Sequence, residues 1–596
     1  MVMKGFQRLR HKLEGLLKAV DRYPATTIFL FATVVANMFW INRPSEDYST
    51  FMFTFIVGAL LSAVGQQLYE RFFTKKSERM LFMLGAVLLA GCYYFVMHSA
   101  SIFSMENGIK TAVTIFALFM AFIWVPTIKS KITFNESFLS VFKAFFITVL
   151  FTVVIASGIS AIIFTIDHLL VKVSYNVVPH ALNLVFTLFS PIFFLSFTPP
   201  FPGKKDVNLT ADERASQEEA IKKATSYPKN LSILISYIII PLTAVYTIIL
   251  LFYVLSNISG EFWTQNLLEP LLVSYAITVI FVYILASMLE NKFTVMFRRI
   301  FPKVLVPIVL FQVVSSVLKI QEVGITHGRY YVILFGLFAV ITGLVFSFLS
   351  IKKNGIIAAV LIILSIISIT PPIDAFTVSR VNQTNLLEKV LLENNMLEGN
   401  SIVPNATVSN EDKRIITRTV NYLNSINDID KVAWLPANVV HFDNFQKTFG
   451  FEQMYEQSHV GVYQYAHLDW DQNPVVNIAD MDLMIHLSTY NGSQLIPLAI
   501  GDRNFQLKLQ QDAKLSTITI VDETDREVIQ FNTKELVEHI LADYEEIAGN
   551  KGPSLTVEQA TFNIENDEVL VSVLANSVDY YDTQYQADFY LFLKIK

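Results

Sequence analysis

Six charged or titratable residues fall near the ends of apolar runs, where they could together hold an anionic group at a membrane surface. They are Asp167, His168, Glu269, Glu322, His327 and Arg329. A guanidinium binds phosphate or carboxylate through paired N–H donors, so Arg329 is the candidate anion contact, and a lipid headgroup or a peptide segment is the candidate ligand. The alternative is that these are ordinary charges at helix ends that serve structure. The residue types leave both interpretations open.

Metal binding and catalysis have less support in the sequence. Three pairs of acids could contribute calcium ligands: Asp428/Asp430, Asp469/Asp471 and Asp480/Asp482. None of them completes a calcium loop, and the histidines after residue 440 lack mutual zinc spacing. No nucleotide-binding, hydrolase or metalloprotease motif occurs. We therefore predict no cofactor, no metal and no catalytic residue, which makes an enzyme the least favoured class.

The candidate residues are positioned by eleven apolar runs. Most approach the roughly 20 residues that cross about 30 Å of hydrocarbon as a helix, the structure that satisfies backbone polar groups in lipid. The runs are 24–41, 50–69, 80–97, 109–126, 145–166, 177–197, 231–255, 267–289, 304–318, 330–351 and 355–370. An aromatic residue followed by proline is expected to open three of these helices, at Tyr23-Pro24, Tyr227-Pro228 and Phe301-Pro302. The sequence therefore predicts a transmembrane helical domain over residues 24–370.

Basic residues predict the orientation of this domain. Of the 30 Lys and Arg residues before Pro371, 25 fall on the side that holds the N-terminus. The other side receives only Arg43, Lys110, Lys172, Lys319 and Arg329. The positive-inside rule then places the N-terminus in the cytoplasm, with residues 1–23 as a basic amphipathic segment on the inner face. An odd number of spans places residues 371–596 outside.

Composition agrees with one membrane domain and one soluble domain. Hydrophobic residues make up 53% of the chain, too many for one soluble protein of this length. From Pro371 onward there are 15 basic and 33 acidic residues, so this domain would repel nucleic acid. The single cysteine, Cys92, lies in the third run, so the outer domain can have no disulfide.

The outer domain is predicted to be α+β, with a largely antiparallel sheet. Helices are predicted at 378–396, 410–426 and 533–547. Alternating stretches rich in β-branched and aromatic residues predict strands at 460–468, 483–490, 505–509, 517–521, 528–531, 561–564, 569–578 and 587–595. An order in which most strands follow one another without intervening helices favours antiparallel pairing.

Two segments resemble a known family. They are GITHGRYYVILFGLF, residues 324–338, and PPIDAFTVSRVNQTNLLEKVLLENNML, residues 371–397. Both are similar to the bacterial multi-pass membrane family known as domain of unknown function 4153. The matching positions are Gly324, Thr326, Arg329, Tyr330, Ala375, Val378, Ser379 and Leu387. Pro371 departs from the glycine of the family pattern. The resemblance implies a bacterial origin and this architecture, but it implies no mechanism.

Two functions from different classes are consistent with these features. The first is the handling or assembly of a cell-envelope component at the outer leaflet, because the spans carry almost no charge at mid-depth and an acidic domain follows the last of them directly. The second is a receptor or scaffold whose outer domain binds a ligand. The expected partners are membrane lipid, and an envelope polymer or another membrane protein. Nucleic acid is excluded.

Overall fold

The computed structural model describes residues 14–596 except 99–100, 205, 207–208, 258–267, 437, 456–462, 471–474, 513, 542–553 and 582–583. The chain divides into two compact units. The first unit ends at Lys389 and also includes Tyr422–Ala433, and the second comprises Val390–Asn421 and Trp434–Lys596. Residues 14–22 of the predicted amphipathic segment are helical, and residues 1–13 lie outside the described residues.

The first unit is a bundle of long apolar helices. Within the described residues, eleven helices are long and apolar enough to cross a membrane, as the sequence predicted. The helices are α1 (Pro24–Asn42), α2 (Ser49–Phe72), α3 (Lys76–Met97), α4 (Met105–Trp124), α5 (Phe134–Leu169), α6 (Val177–Ser196), α7 (Ala211–Thr225), α8 (Lys229–Ile233 continuing through Ile240–Asn257), α9 (Leu268–Ala286), α10 (Lys292–Val323), α11 (His327–Phe348) and α12 (Gly355–Ile369). Of these, α7 is a charged connector within the stretch Ala211–Ser256 that contains the seventh span.

Proline opens two of the helices but not the third. Pro24 occupies the first turn of α1, and Pro228 precedes the first residue of α8. Pro302 lies inside α10, which begins at Lys292, so the prediction that Phe301-Pro302 opens a helix was wrong. The side chain and carbonyl of Asn291 cap this earlier start. The helix continues through Pro302 and Pro307, and prolines are tolerated within membrane helices.

Close packing of α10 against α11 depends on two glycines of α11. A Cβ at Gly336 would lie 2.3 Å from Val313 Cγ2, and a Cβ at Gly343 would lie 2.7 Å from Val306 Cγ2. Small residues of this kind let two membrane helices approach until their backbones nearly touch. The two glycines therefore set how closely α10 and α11 pack.

Among the described residues, four α-helices and twelve strands follow the last span, and the strands build most of the core of the second unit. The helices are α13 (Ala375–Glu393), α14 (Asn410–Ser425), α15 (Phe442–Phe449) and α16 (Thr533–Leu541). The strands are β1 (Leu397–Glu398), β2 (Ser401–Ile402), β3 (Tyr463–Leu468), β4 (Leu483–Ser488), β5 (Gln494–Ile500), β6 (Arg503–Gln511), β7 (Ser516–Asp522), β8 (Glu527–Asn532), β9 (Ser554–Leu555), β10 (Thr561–Glu565), β11 (Val569–Tyr581) and β12 (Gln584–Ile595). Both α13 and α14 contain residues of each unit.

The strands form two main sheets. One has the order β4-β12-β11-β3-β9, with β10 also paired to β11, and the other is the meander β5-β6-β7-β8. Every described pair is antiparallel except β3 with β9, which confirms the predicted α+β class. The long strands β11 and β12 pair along their length and place Val571, Val573 and Leu591 in a fully buried core.

Candidate functional site at the Asp374 end of the bundle

The connection between α10 and α11 is held by the first half of α13. Gln383 Nε2 donates to the carbonyl of Val323 at 3.0 Å and to that of Ile325 at 3.3 Å. The backbone N–H of Ile325 donates to Asn382 Oδ1 at 2.6 Å. Between them, Gly324 has φ +71°, and a Cβ there would lie 2.6 Å from Gln383 Nε2. Only glycine combines this backbone conformation with this approach.

We call the contact between the α10–α11 connection and α13 the junction. His327, the first residue of α11, extends it through stacking and hydrogen bonding. Its ring stacks on Phe376, with centroids 5.0 Å apart and planes 9° from parallel. Its backbone N–H donates to the hydroxyl of Tyr422 at 2.9 Å, and that hydroxyl donates to Ser379 Oγ at 2.9 Å. Burial raises the pKa of Tyr422, so the hydroxyl stays protonated and remains a donor. The polar atoms that the connection presents are thus engaged by α13 and α14.

A chain of ion pairs lies at this end of the bundle, and we call it the ionic chain. Its members are Asp374, Lys110, Glu106, Lys431, Asp428 and Arg380. Lys110 Nζ lies 3.2 Å from Asp374 Oδ1 and 2.6 Å from Glu106 Oε1. The side chain of Asp374 is 0% exposed and that of Lys110 is 10% exposed. Asp374 Oδ2 is buried without a hydrogen-bond partner among the described residues, so the contacts of Oδ1 balance the charge of this carboxylate. Removing Lys110 would leave that charge uncompensated.

The second half of the ionic chain links α13 to the segment after α14. Arg380 Nη1 lies 2.8 Å from Asp428 Oδ2, and Lys431 Nζ lies 2.6 Å from Asp428 Oδ1. Lys431 also reaches Glu106, at 3.9 Å. The Asp428 side chain is only 1% exposed, so its charge depends on these two cations.

Asp374 also caps α13. Its Oδ1 accepts the backbone N–H groups of Phe376, at 3.1 Å, and Thr377, at 3.2 Å. Burial alone would raise the pKa of Asp374, but the hydrogen bonds from Thr377 and the charge of Lys110 outweigh it and hold that pKa below its ordinary value. The carboxylate therefore stays ionised and fixes the start of α13 against α4.

Of the six residues proposed as an anion site, Arg329 and Glu269 both contact the last turns of α10. Arg329 Nη1 donates to the carbonyl of Lys319 at 2.8 Å, and Ser316 Oγ donates to Glu269. The side chain of Glu322 lies outside the described residues. Two of the candidates therefore share one helix end, where each also makes internal contacts.

Asp167 and His168 make local contacts at the end of α5. Asp167 Oδ1 accepts the backbone N–H of Val173 at 2.8 Å, and the ring of His168 stacks on Phe164 with centroids 4.0 Å apart. Lys172 Nζ lies 3.7 Å from Asp167 Oδ2. His327, the remaining candidate, belongs to the junction with α13.

The two segments that carry the family resemblance meet at this junction. The Thr326 hydroxyl accepts the backbone N–H of Arg329 at 3.3 Å and begins α11. Tyr330 donates its hydroxyl to the carbonyl of Ile373 at 2.7 Å. Ala375 and Ser379 are fully buried, and Val378 is half-buried. The shared positions therefore include one closely packed contact between two parts of the chain that are distant in sequence.

Sequence reasoning did not single out Lys110, Glu106 or Asp374 as a site. A usable signal was present, because Lys110 is one of five basic residues on the sparsely charged side and falls within a hydrophobic helix. A cation in that position requires a partner or access to water. The sequence gives no indication that the partner is 264 positions further along.

A second buried ion pair joins Arg22, which precedes α1, to Glu70 in the last turn of α2. Arg22 Nη2 lies 2.7 Å from Glu70 Oε2, and Arg22 Nη1 donates to the carbonyl of Thr198 at 2.7 Å. Gln66 Nε2 donates to Glu70 Oε1 at 2.8 Å, and Arg79 Nε donates to Gln66 Oε1 at 2.9 Å. This cluster joins the chain before α1 to α2, α3 and the connection after α6.

Among the described residues, no group of three or more His, Cys, Asp or Glu side chains could hold a metal ion. His486 Nε2 instead lies 3.0 Å from Asp588 Oδ1, across two paired strands.

The apolar helices of the first unit and the α+β core of the second define the class: an integral, multi-pass membrane protein with a separate α+β region. The chain belongs to the family described as Domain of unknown function (DUF4153), whose model matches residues 25–405. The match includes both segments of the junction. No curated protein and no solved structure matches the chain.

Proposed function

We propose that this protein is a receptor or scaffold of the bacterial cytoplasmic membrane, in which the segment after the last span is fixed to the bundle. The observation that carries the proposal is the buried ion pair between Asp374 and Lys110. It joins the beginning of α13, the first helix after the spans, to α4. The expected partner is another membrane protein or a ligand bound by the region after residue 371.

The surrounding contacts support a fixed attachment. Gln383, Asn382 and Tyr422 satisfy the backbone of the α10–α11 connection, so movement of α13 would leave several buried polar groups unpaired. Each such group costs about 1–3 kcal/mol when it loses its partner. A displacement of α13 is therefore unfavourable unless the ends of α10 and α11 move with it. Such coupled movement is what a relay requires, and a fixed attachment is what a scaffold requires.

Photocrosslinking at Val381 tests the partner directly. Val381 is on α13 and 52% exposed, so a benzoylphenylalanine there can reach a neighbouring molecule. The control position is Phe348, at the far end of α11 and 76% exposed. We expect an adduct of protein size at Val381 and none of that size at Phe348. Adducts of lipid mass alone at both positions would contradict a receptor or scaffold.

The orientation is part of the proposal and has its own test. With the N-terminus inside, reporter fusions after Met97 and Lys596 should read outside and a fusion after Lys205 should read inside. The uneven distribution of basic residues supports this arrangement. A cytoplasmic signal from the fusion after Lys596 would place the acidic region inside the cell and would exclude a receptor with an outer ligand-binding domain.

The second candidate is the handling of an envelope component with an anionic headgroup at the outer leaflet. It is favoured by the position of Arg329 and Glu269 at the last turns of α10, beside the exposed apolar side chains of Val317 and Leu318. The variant Arg329→Gln separates the two candidates. Normal folding with loss of copurified lipid supports envelope handling, whereas loss of thermal stability indicates a structural role. No change in either property excludes Arg329 as a headgroup contact.

A further inference from the structure

A recess with mixed lining lies between the connection that follows α4 and the beginning of α12. Its volume is about 360 Å³, within the range of roughly 300–1,000 Å³ typical of small-molecule sites. Basic, hydroxyl-bearing and apolar side chains of both segments line it, among them Trp124, Ser130 and Lys131 from the first and Lys352, Lys353 and Ile363 from the second. Gly355 allows the start of α12 to lie against the Trp124 indole, because a Cβ there would be 3.1 Å from Trp124 Nε1.

The polar part of the recess is cationic. Lys131, Lys352 and Lys353 are all exposed at its rim, and none of the lining residues is acidic. Among the residues that the structure describes, no carboxylate forms an ion pair with any of these three lysines. The Ser130 side chain adds a hydroxyl to the same lining. Three ammonium groups without an internal counterion attract an anion with several acceptor oxygens.

The remaining wall of the recess is apolar and continues along a span. Ile356, Val360 and Ile363 succeed one another at helical spacing on α12 and lie on one face of it. Ile356 and Ile363 are exposed, at 41% and 56%, on a helix without charged residues. A soluble anion would contact only the cationic rim, whereas an anion that carries a hydrocarbon chain would also contact this apolar face.

We propose that this recess binds an anionic phospholipid, with the phosphate among the three lysines and one acyl chain along α12. Tryptophan is enriched where headgroups meet hydrocarbon, which is the position that such a lipid would give Trp124. The site is on the side that the basic residues mark as cytoplasmic, where anionic lipid attracts lysine. It does not depend on the receptor or scaffold role of the protein.

The test compares full-length protein in nanodiscs of phosphatidylcholine alone with nanodiscs that also contain phosphatidylglycerol, and measures retained lipid by native mass spectrometry. Each lysine near an anionic surface contributes about a fivefold gain in affinity, so replacing all three by glutamine should weaken phosphatidylglycerol binding by on the order of 100-fold. The matched control replaces three exposed lysines outside the recess, Lys222, Lys223 and Lys229, by glutamine. The control should bind as the wild type does.

Three further outcomes decide the proposal. Replacement of Lys131, Lys352 and Lys353 by arginine should retain binding, because arginine keeps the positive charge. The glutamine variant should keep the thermal midpoint of the wild type, which excludes a folding defect as the cause of its loss of binding. Equal binding by the wild type and the glutamine variant, or an equal loss in the control, would overturn the site. Inorganic phosphate that displaces phosphatidylglycerol completely at millimolar concentration would show that the occupant is a free anion and would overturn the lipid assignment.

Discussion

Replacement of Asp374 by asparagine isolates the charge of the buried ion pair from the cap of α13. Asparagine retains an Oδ1 that can accept the N–H groups of Phe376 and Thr377, so the cap is preserved. The substitution removes the attraction to Lys110 across 3.2 Å. At an effective dielectric constant of about 20, two unit charges at that distance attract by about 5 kcal/mol.

The net loss is smaller than this attraction. The neutral amide is less costly to bury than a carboxylate, and Lys110 keeps Glu106 at 2.6 Å. We therefore expect Asp374→Asn to lower the free energy of unfolding by about 2–4 kcal/mol. Asp374→Ala should cost about 1 kcal/mol more, because it also removes the cap.

Unfolding of the purified protein by SDS titration in bicelles measures these values. The control is Glu46→Gln, which breaks the exposed ion pair with Arg43, whose side chains are 61% and 53% exposed, and should cost less than about 1 kcal/mol. A double-mutant cycle with Lys110→Met then gives the coupling energy of the buried pair. An Asp374→Asn variant no less stable than Glu46→Gln, or a coupling energy near zero, would refute the structural role of the pair.

Three other perturbations have defined outcomes. The pKa of Asp374 is lowered in the folded protein, so its contribution to the free energy of unfolding is present above about pH 4 and is lost as the pH falls further. The difference in stability between the wild type and Asp374→Asn, measured by SDS titration at a series of pH values, should therefore narrow only below about pH 4. Gly324→Ala should cost about 2 kcal/mol in the same assay, and its loss and that of Gln383→Ala should be less than additive, because the added methyl group meets Gln383 Nε2 and displaces the same side chain that the second substitution removes. Glu70→Gln should cost about 3 kcal/mol by leaving the Arg22 charge without its carboxylate, and a thermal midpoint equal to that of the wild type would contradict this.

The spans could be predicted because hydropathy and length are local properties of the chain. The ninth span was predicted at 304–318, which is too short for the helix that contains it, because α10 begins at Lys292. The basic residues and Pro302 before residue 304 suggested a helix boundary there. Its first turns carry charge at one end of the bundle, where helix does not require an apolar sequence. Local hydropathy therefore located the membrane crossing but not the full helix.

In the α+β region, alternation of apolar residues predicted most strands. The pattern missed β5, which contains Pro497 and pairs with only one neighbour, at the edge of its sheet. Proline is tolerated at an edge because no second neighbour needs its N–H. The helix α15 was also missed, since its aromatic residues Phe445 and Phe449 fit a strand as readily as a helix.

The candidate site was the least predictable part, because its contacts join residues that are far apart in sequence. Arg329 and His327 could be selected by their position at a helix end, but the ionic chain joins residues of α4 to residues after α12 and after α14. Only the packing of the helices determines which charges become neighbours. The predicted grouping of Glu322 with Arg329 remains a prediction.

The contacts of the first half of α13 constrain where the length of this chain can change. Each residue inserted into an α-helix rotates the downstream part of the chain by about 100° and advances it by about 1.5 Å. One additional residue between Arg380 and Asn382 would leave the contacts of Ser379 with Tyr422 and of Arg380 with Asp428 in place. It would rotate Asn382 and Gln383 away from the connection between α10 and α11. Insertions and deletions should therefore be tolerated more readily in the connections between spans than in the first half of α13, where Arg380 and Gln383 must keep their phase toward Asp428 and Val323.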